Sequence, residues 1–361
     1  MPTDTLNELR HELDADRPRH ARALMSPAAR AQAIERGLLG LYRWYSEHSQ
    51  RRRNWHADTC IDWRRVRGDH SDAIGTIIEG FFAVEQYTPD YVGPLIGRIR
   101  ESYGRSQWHV YWGAEEARHA DLWRNAVVAL GRRNERWIEE YTSELRRHEW
   151  TLPWDSARHI LFYQVIQERA TQVSYLNLGL GLTGKLARLA TPADEALAGA
   201  CRLIAVDEAA HYGFFAEVAR LFLYYEPEAS LEAMVDVLRH FTMPARDVIP
   251  NYDDFGRVLH ESGVFGRAIH YRDVVRIILG TLSSPALREL EAGLRRAREI
   301  PTTEGSRRTA AFLDTLNQPA VERKVEQLFR RNQSHLTHAG LDRLFPTNWE
   351  PAWTFAEEEW V

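Results

Sequence analysis

Apolar residues recur at spacings of three and four along most of this chain, and strand-type alternation is rare. Four long segments of helical spacing follow one another at about 71–100, 105–131, 155–182 and 194–224. Before them, residues 1–48 read as one or two amphipathic helices ending near LLGLYRWYSEHSQ, and 49–70 as a polar, Trp-containing connection. Pro89 is expected to kink or end a helical segment. Beyond 225 the helical pattern continues, with breaks at Pro227, Pro244, Pro250, 283–285 and Pro301, and no Gly/Ser-rich linker divides it. The expectation is an all-α fold in a single domain over 1–361. Its core is a four-helix bundle at about 71–224, with additional N-terminal helices and a C-terminal helical extension over 225–361.

The apolar faces are interrupted by acids. In the first core helix Ile78, Phe81, Phe82 and Glu85 share one face. Trp112, Glu116, His119 and Trp123 share a face of the second; Leu161, Val165, Glu168 and Thr171 do so in the third; Cys201, Ile204, Ala205, Glu208 and His211 in the fourth. Each acid sits where a core Leu belongs. A lone Glu followed by Glu-x-x-His thus occurs twice: Glu85 with Glu116 and His119, then Glu168 with Glu208 and His211. Four carboxylates and two imidazoles from four helices are the ligand set of a di-metal carboxylate site inside a bundle. Without compensation, four buried carboxylates would repel strongly; two divalent ions supply the balancing charge.

One Glu-x-x-His is a weak signal, expected about once by chance in such a chain; its doubling on buried faces carries the reading. Glu and His at i, i+3 can hold one ion, while the lone Glu residues either bridge or terminate the pair. Mixed carboxylate and imidazole ligands suit iron or manganese, and the lack of Cys in the set argues against structural zinc. Ligand histidines usually give their second N–H to a carboxylate. Asp207 and Glu115 each precede a ligand Glu and point about 100° away from it, toward a neighbouring helix. We expect Asp207 to serve His119 and Glu115 to serve His211; the alternative for either is an exposed helix acid.

Composition narrows the classes. The formal net charge of −5 argues against a nucleic-acid binder. Nearly all basic residues are Arg; the lysines are Lys185 and Lys324. Two cysteines, Cys60 and Cys201, make no disulfide framework and fit a reducing compartment. The N-terminal residues have no apolar h-region, and no run approaches the ~20 apolar residues of a membrane helix. A cytoplasmic protein, not integral to a membrane, is expected.

The words around these residues resemble the soluble acyl-ACP desaturases of the plastid stearoyl-ACP type. EEARH at 115–119, QERAT at 167–171 and DEAAH at 207–211 are similar to that family's words and stand in its order. The resemblance runs from about Asn54 to Val275 and includes TMPA at 242–245 and VFGRAIHYRDVV at 264–275. It implies a ferritin-like diiron fold, a homodimer, and Glu85, Glu116, His119, Glu168, Glu208 and His211 as iron ligands. It also implies that Thr171 relays protons near the oxygen site, and that Trp55, Asp207 and His119 form an electron-entry route. Trp112 would stand beside the cluster. Plain core packing is the alternative for either Trp. The chain departs from the family in three places. In AVEQYTPDY only one acid, Glu85, is available where the plant proteins have a Glu-Glu pair, Tyr175 replaces a His, and the plant cavity residues do not map onto 93–100.

The function so implied is O2-dependent desaturation of a fatty acyl chain on acyl carrier protein, with two irons and electrons from a ferredoxin-type donor. Phe81, Phe82 or Leu161 are candidates for the wall of an acyl tunnel. Carrier protein is acidic, so Arg51, Arg52 and Arg53 are candidates to dock it or its phosphate; a solvated charge run is the alternative. The departures leave chain length and double-bond position open and admit a related hydroxylase or oxygenase. A ferritin-type iron-binding protein is the rival outside enzymes.

Overall fold

The described residues, 26–282 of a computed structural model, contain helices and no strand. The helices are α1 (Pro27–Trp44), α2 (Asp72–Glu85), α3 (Thr88–Arg98), α4 (Tyr103–Ala129), α5 (Glu135–Leu145), α6 (Ala157–Leu182), α7 (Glu195–Tyr225), α8 (Pro227–His240) and α9 (Tyr252–Ser262). A last helical stretch, 267–281, contains a π turn at His270–Val275. Another π turn, Tyr45–Ser49, closes α1.

Side-chain oxygens fix several helix starts by accepting otherwise unpaired first-turn N–H groups. Ser26 does so for α1, Asn134 for α5, Ser156 for α6 and Asp194 for α7. Asp194 also accepts from the Arg67 backbone N–H at 2.8 Å and lies 3.0 Å from His70 Nε2, so it ties the long connection to the bundle.

Helices α2, α4, α6 and α7 form the four-helix core, with α6 against α7 and α2 against α4. Helix α1 covers α4 and α7, α8 covers α6, and α9 covers α2. The contact between α1 and α4 is close. A Cβ on Gly104 would stand 2.6 Å from the backbone C of Leu38 and 2.6 Å from the backbone N of Leu39.

One helix expected over 71–100 is two. α2 stops at Glu85, and α3 starts at Thr88 with Pro89 in its first turn, where a missing N–H leaves nothing unpaired. Pro227 opens α8 in the same way after Glu226 ends α7. The breaks expected at 283–285 and Pro301, Lys324, and much of the 1–48 and 225–361 extensions lie outside the described residues. Among the described residues, no helix is long and apolar enough to cross a membrane.

Candidate metal centre

All six predicted ligands meet in the middle of the bundle, each at most 3% exposed. They form two groups of four. One is Glu85, Glu116, His119 and Glu208; the other is Glu116, Glu168, Glu208 and His211; within each group one ligand atom per residue lies within 4.8 Å of the others. Glu116 and Glu208 belong to both. If each group held a cation, Glu116 and Glu208 would be available to both, and Glu85 and Glu168 to one each.

Several donor atoms face one another at close range, and His211 Nδ1 lies 3.2 Å from Glu168 Oε2 as a hydrogen-bonding partner. His119 Nδ1 lies 3.2 Å from Glu116 and 3.4 Å from Glu208, and His211 Nδ1 lies 3.0 Å from Glu116 Oε1. Yet His119 Nδ1 and Glu116 Oε1 are buried without a hydrogen bond. Lone pairs converging on shared space fit a pair of cations; buried polar atoms otherwise find partners. Hard oxygen and imidazole donors in this number suit iron or manganese.

Each histidine turns its other nitrogen outward onto a carboxylate. His119 Nε2 lies 3.3 Å from Asp207 Oδ2, and His211 Nε2 lies 2.7 Å from Glu115 Oε2. Both acids are buried. Trp55 Nε1 donates to Asp207 Oδ2 at 3.0 Å, and its ring stacks parallel to His119 with centroids 6.1 Å apart. Trp112 Nε1 donates to Glu168 Oε1 at 3.0 Å. Thr171 Oγ1 lies 2.9 Å from Glu208 Oε2 and can also donate to the backbone carbonyls of Gln167 or Glu168.

Burial and like charge set the protonation. Burial pushes Glu85 and Glu168 well above ordinary carboxylate values, and neighbouring carboxylates push them further. Burial opposes charge on His119 and His211 as well, but the carboxylates around them win, so both are raised. Glu115 is held down at about 2: burial opposes this, and His211 and Arg53 overcome it. Asp207 is lowered against burial by His119 and Arg53. The outer acids are therefore favoured as carboxylates, while Glu85, Glu168, His119 and His211 are shifted toward their protonated forms.

Three residues take places the sequence did not give them. Tyr175, fully buried, donates its hydroxyl to Glu85 Oε1 at 2.5 Å. It stands seven residues after Glu168, on the same helical face, and that periodicity could have found it. Tyr45 donates to Glu115 Oε2 at 2.6 Å from the π turn, a register shift with no clear sequence mark. Arg53 corrects the docking expectation. Arg51 and Arg52 are exposed, but the Arg53 side chain is 10% exposed and pairs with Asp207 and Glu115. The reason is physical: two buried carboxylates side by side need a cation.

The candidate tunnel walls are core. Phe82 and Leu161 are fully buried, and Phe81 packs on Trp123, Tyr175 and Phe255. A surface cleft of about 460 Å3 lies elsewhere, along α6, with Val173, Tyr175, Leu176 and Leu180 on its wall and Arg169, Lys185 and Arg202 around it. Tyr175 belongs to both this cleft and the Glu85 contact.

Fold and site together define a class: a four-helix bundle around a buried carboxylate–histidine cluster suited to metal ions. The chain matches the family described as "Fatty acid desaturase" over residues 96–332, more than half its length, and belongs to that family. It is 28% identical over 259 residues to stearoyl-[acyl-carrier-protein] 9-desaturase 6 of Arabidopsis thaliana, covering 67% of this chain and 64% of that protein. It is 32% identical over 252 residues to acyl-[acyl-carrier-protein] desaturase 4 of Oryza sativa subsp. japonica, covering 63% and 57%. The chain thus spans less than two thirds of the length of these curated relatives. The X-ray structure of DesA2 from Mycobacterium tuberculosis H37Rv aligns at a TM-score of 0.47 and 18% identity, over 73% of this chain and 98% of that one. That likeness is too slight to carry anything about the site.

Proposed function

We propose that this protein is an O2-dependent diiron desaturase that places a double bond in a fatty acyl chain tethered to acyl carrier protein, with electrons from a ferredoxin-type donor. The observation that carries the proposal is the pair of four-residue groups sharing Glu116 and Glu208, with a carboxylate behind each histidine. Family membership supports the substrate class, and the relatives named above are acyl-carrier-protein desaturases.

Two iron ions held by Glu85, Glu116, His119, Glu168, Glu208 and His211 would supply O2 activation and the removal of two hydrogens. The protein's own groups do the rest. Asp207 and Glu115 hold the histidines with Nδ1 inward. Trp112 fixes Glu168, and Tyr175 fixes Glu85. Thr171 holds an exchangeable proton at Glu208 Oε2, in place to pass it inward. Trp55, joined through Asp207 to His119, offers the donor a path from a partly exposed ring to the centre. Leu176, Leu180 and Val206 are each at least 43% exposed on the outer faces of α6 and α7, which suits the proposed homodimer; light scattering that gives a monomer mass would reject it.

The test is one incubation. Purified protein, ferrous iron, ferredoxin with its reductase, O2 and a panel of acyl carriers are combined, and products are read by mass spectrometry. Loss of two hydrogens from an acyl chain is expected. Full iron loading with O2 uptake and no such loss refutes the proposal, and a gain of one oxygen instead identifies a hydroxylase. Many irons per chain, rather than about two, identifies an iron store.

A further inference from the structure

Arg53 lies outside the bundle in sequence and inside it in space. It ends the short 3-10 turn Gln50–Arg52, before α2 begins. Its guanidinium crosses the gap between α4 and α7. Nη1 donates to Asp207 Oδ1 at 2.5 Å, and Nη2 donates to Glu115 at 3.1 Å and to the Tyr45 hydroxyl. Asp207 in turn faces His119, and Glu115 faces His211. One planar cation therefore touches both carboxylates that set the two histidines, one in each four-residue group.

We propose that Arg53 is a positioning residue for the whole metal centre, a single fork that locks the two histidine–carboxylate pairs into one register. The chemistry favours Arg at this place. A guanidinium presents rigid, divergent donors that engage two acids at once, whereas an ammonium is a point charge that follows one of them. The acids have little else to do. Asp207 spends its second oxygen on Trp55 and His119, and Glu115 takes Tyr45 and His211 on one oxygen. Without Arg53, two buried carboxylates would repel across the helix pair and swing the imidazoles. Arg118 reaches the same two acids more loosely: its Nη2 donates to Asp207 Oδ2 at 3.5 Å and lies 3.8 Å from Glu115, while its Nη1 donates to Asn54.

The inference rests on the metal-centre reading, and its test separates the two. Wild-type, Arg53→Gln and Arg53→Lys proteins are titrated anaerobically with ferrous or cobaltous ion against a chelator. The exchangeable, paramagnetically shifted imidazole N–H resonances, one per histidine, are recorded for each. Arg53→Gln is expected to weaken both ions by roughly 10–100-fold, as loss of an outer partner does, and to move both resonances. Arg53→Lys is expected to restore one half-site and leave the other weak. A protein that only melts earlier, with both affinities and both resonances unchanged in its folded fraction, overturns the inference alone. Wild-type protein that binds neither ion overturns the metal-centre reading and this inference with it. If Arg53→Gln does not fold, Tyr45→Phe keeps the ring against Trp108 and removes only the hydroxyl between Arg53 and Glu115. It is expected to weaken only the ion on His211; no change overturns the inference.

Discussion

Replacing Tyr175 by Phe removes one oxygen from the interior and leaves the ring where it is, edge-on to Phe81 at 4.8 Å and tilted on Trp123 at 5.4 Å. Among the described residues, that oxygen is the hydrogen-bond donor to the Glu85 carboxylate. The cost depends on the charge of Glu85. In the metal-free protein burial and the neighbouring Glu116 favour the protonated form of Glu85, and for that form the change removes a hydrogen bond between neutral groups, about 0.5–1.5 kcal/mol. In the loaded protein Glu85 is a carboxylate, and the lost bond is charge-assisted, about 1.5–3 kcal/mol. The difference, roughly 1–2 kcal/mol, appears as weaker metal binding of roughly five- to thirty-fold. It should fall on one ion only. Glu85 belongs to the group with His119 and is absent from the group with His211. Stepwise anaerobic titration of Tyr175→Phe should therefore show one weakened and one nearly unchanged affinity, with metal-free stability lowered by no more than about 1.5 kcal/mol. Equal weakening of both ions, or of neither, would refute the reasoning.

Metal loading should release protons, because Glu85, Glu168, His119 and His211 all have raised values in the metal-free cluster. Affinity should therefore rise with pH across the neutral range, and a flat profile in weakly buffered titrations would count against proton binding at these four groups. Gly104→Ala should cost about 1–3 kcal/mol in urea unfolding, since the added methyl would meet the Leu38–Leu39 backbone rather than a side chain that can turn away. Asp194→Ala should cost about 2–4 kcal/mol, as a helix cap and a buried acceptor for Arg67 and His70 are lost together; a loss under about 1 kcal/mol would show that the connection is not anchored there.

Periodicity made the bundle legible. Residues one or two turns apart on α4, α6 and α7 fall on one face whatever the tertiary details, so Glu116 with His119, and Glu208 with His211, could be read as pairs. The same logic placed Asp207 and Glu115 behind the histidines, because a one-residue step turns a side chain by a known angle. Two kinds of feature resisted it. Arg53 and Trp55 sit in a connection without helical repeat, where neighbours in sequence face opposite ways: Arg52 is exposed and Arg53 is not. Tyr45 lies in a π turn, whose extra residue breaks the register that α1 otherwise keeps. That Glu116 and Glu208 belong to both groups also depends on how the four helices are set against one another, which spacing along each helix does not contain.

Glu85 is the final residue of α2, and its backbone carbonyl accepts the Thr88 hydroxyl at 2.8 Å where the helix gives out. The other ligands sit in the middle of long helices. A helix dipole presents its negative end at the C-terminus, so a carboxylate there is disfavoured by about 0.3–1 kcal/mol and attracts cations correspondingly harder. Its anchorage differs too: Glu85 has helical turns on one side and, on the other, a two-residue turn into α3. If the six residues hold two ions, Glu85 is the one whose helix ends at the site, so its backbone would be the freest of the six to adjust to a change in charge.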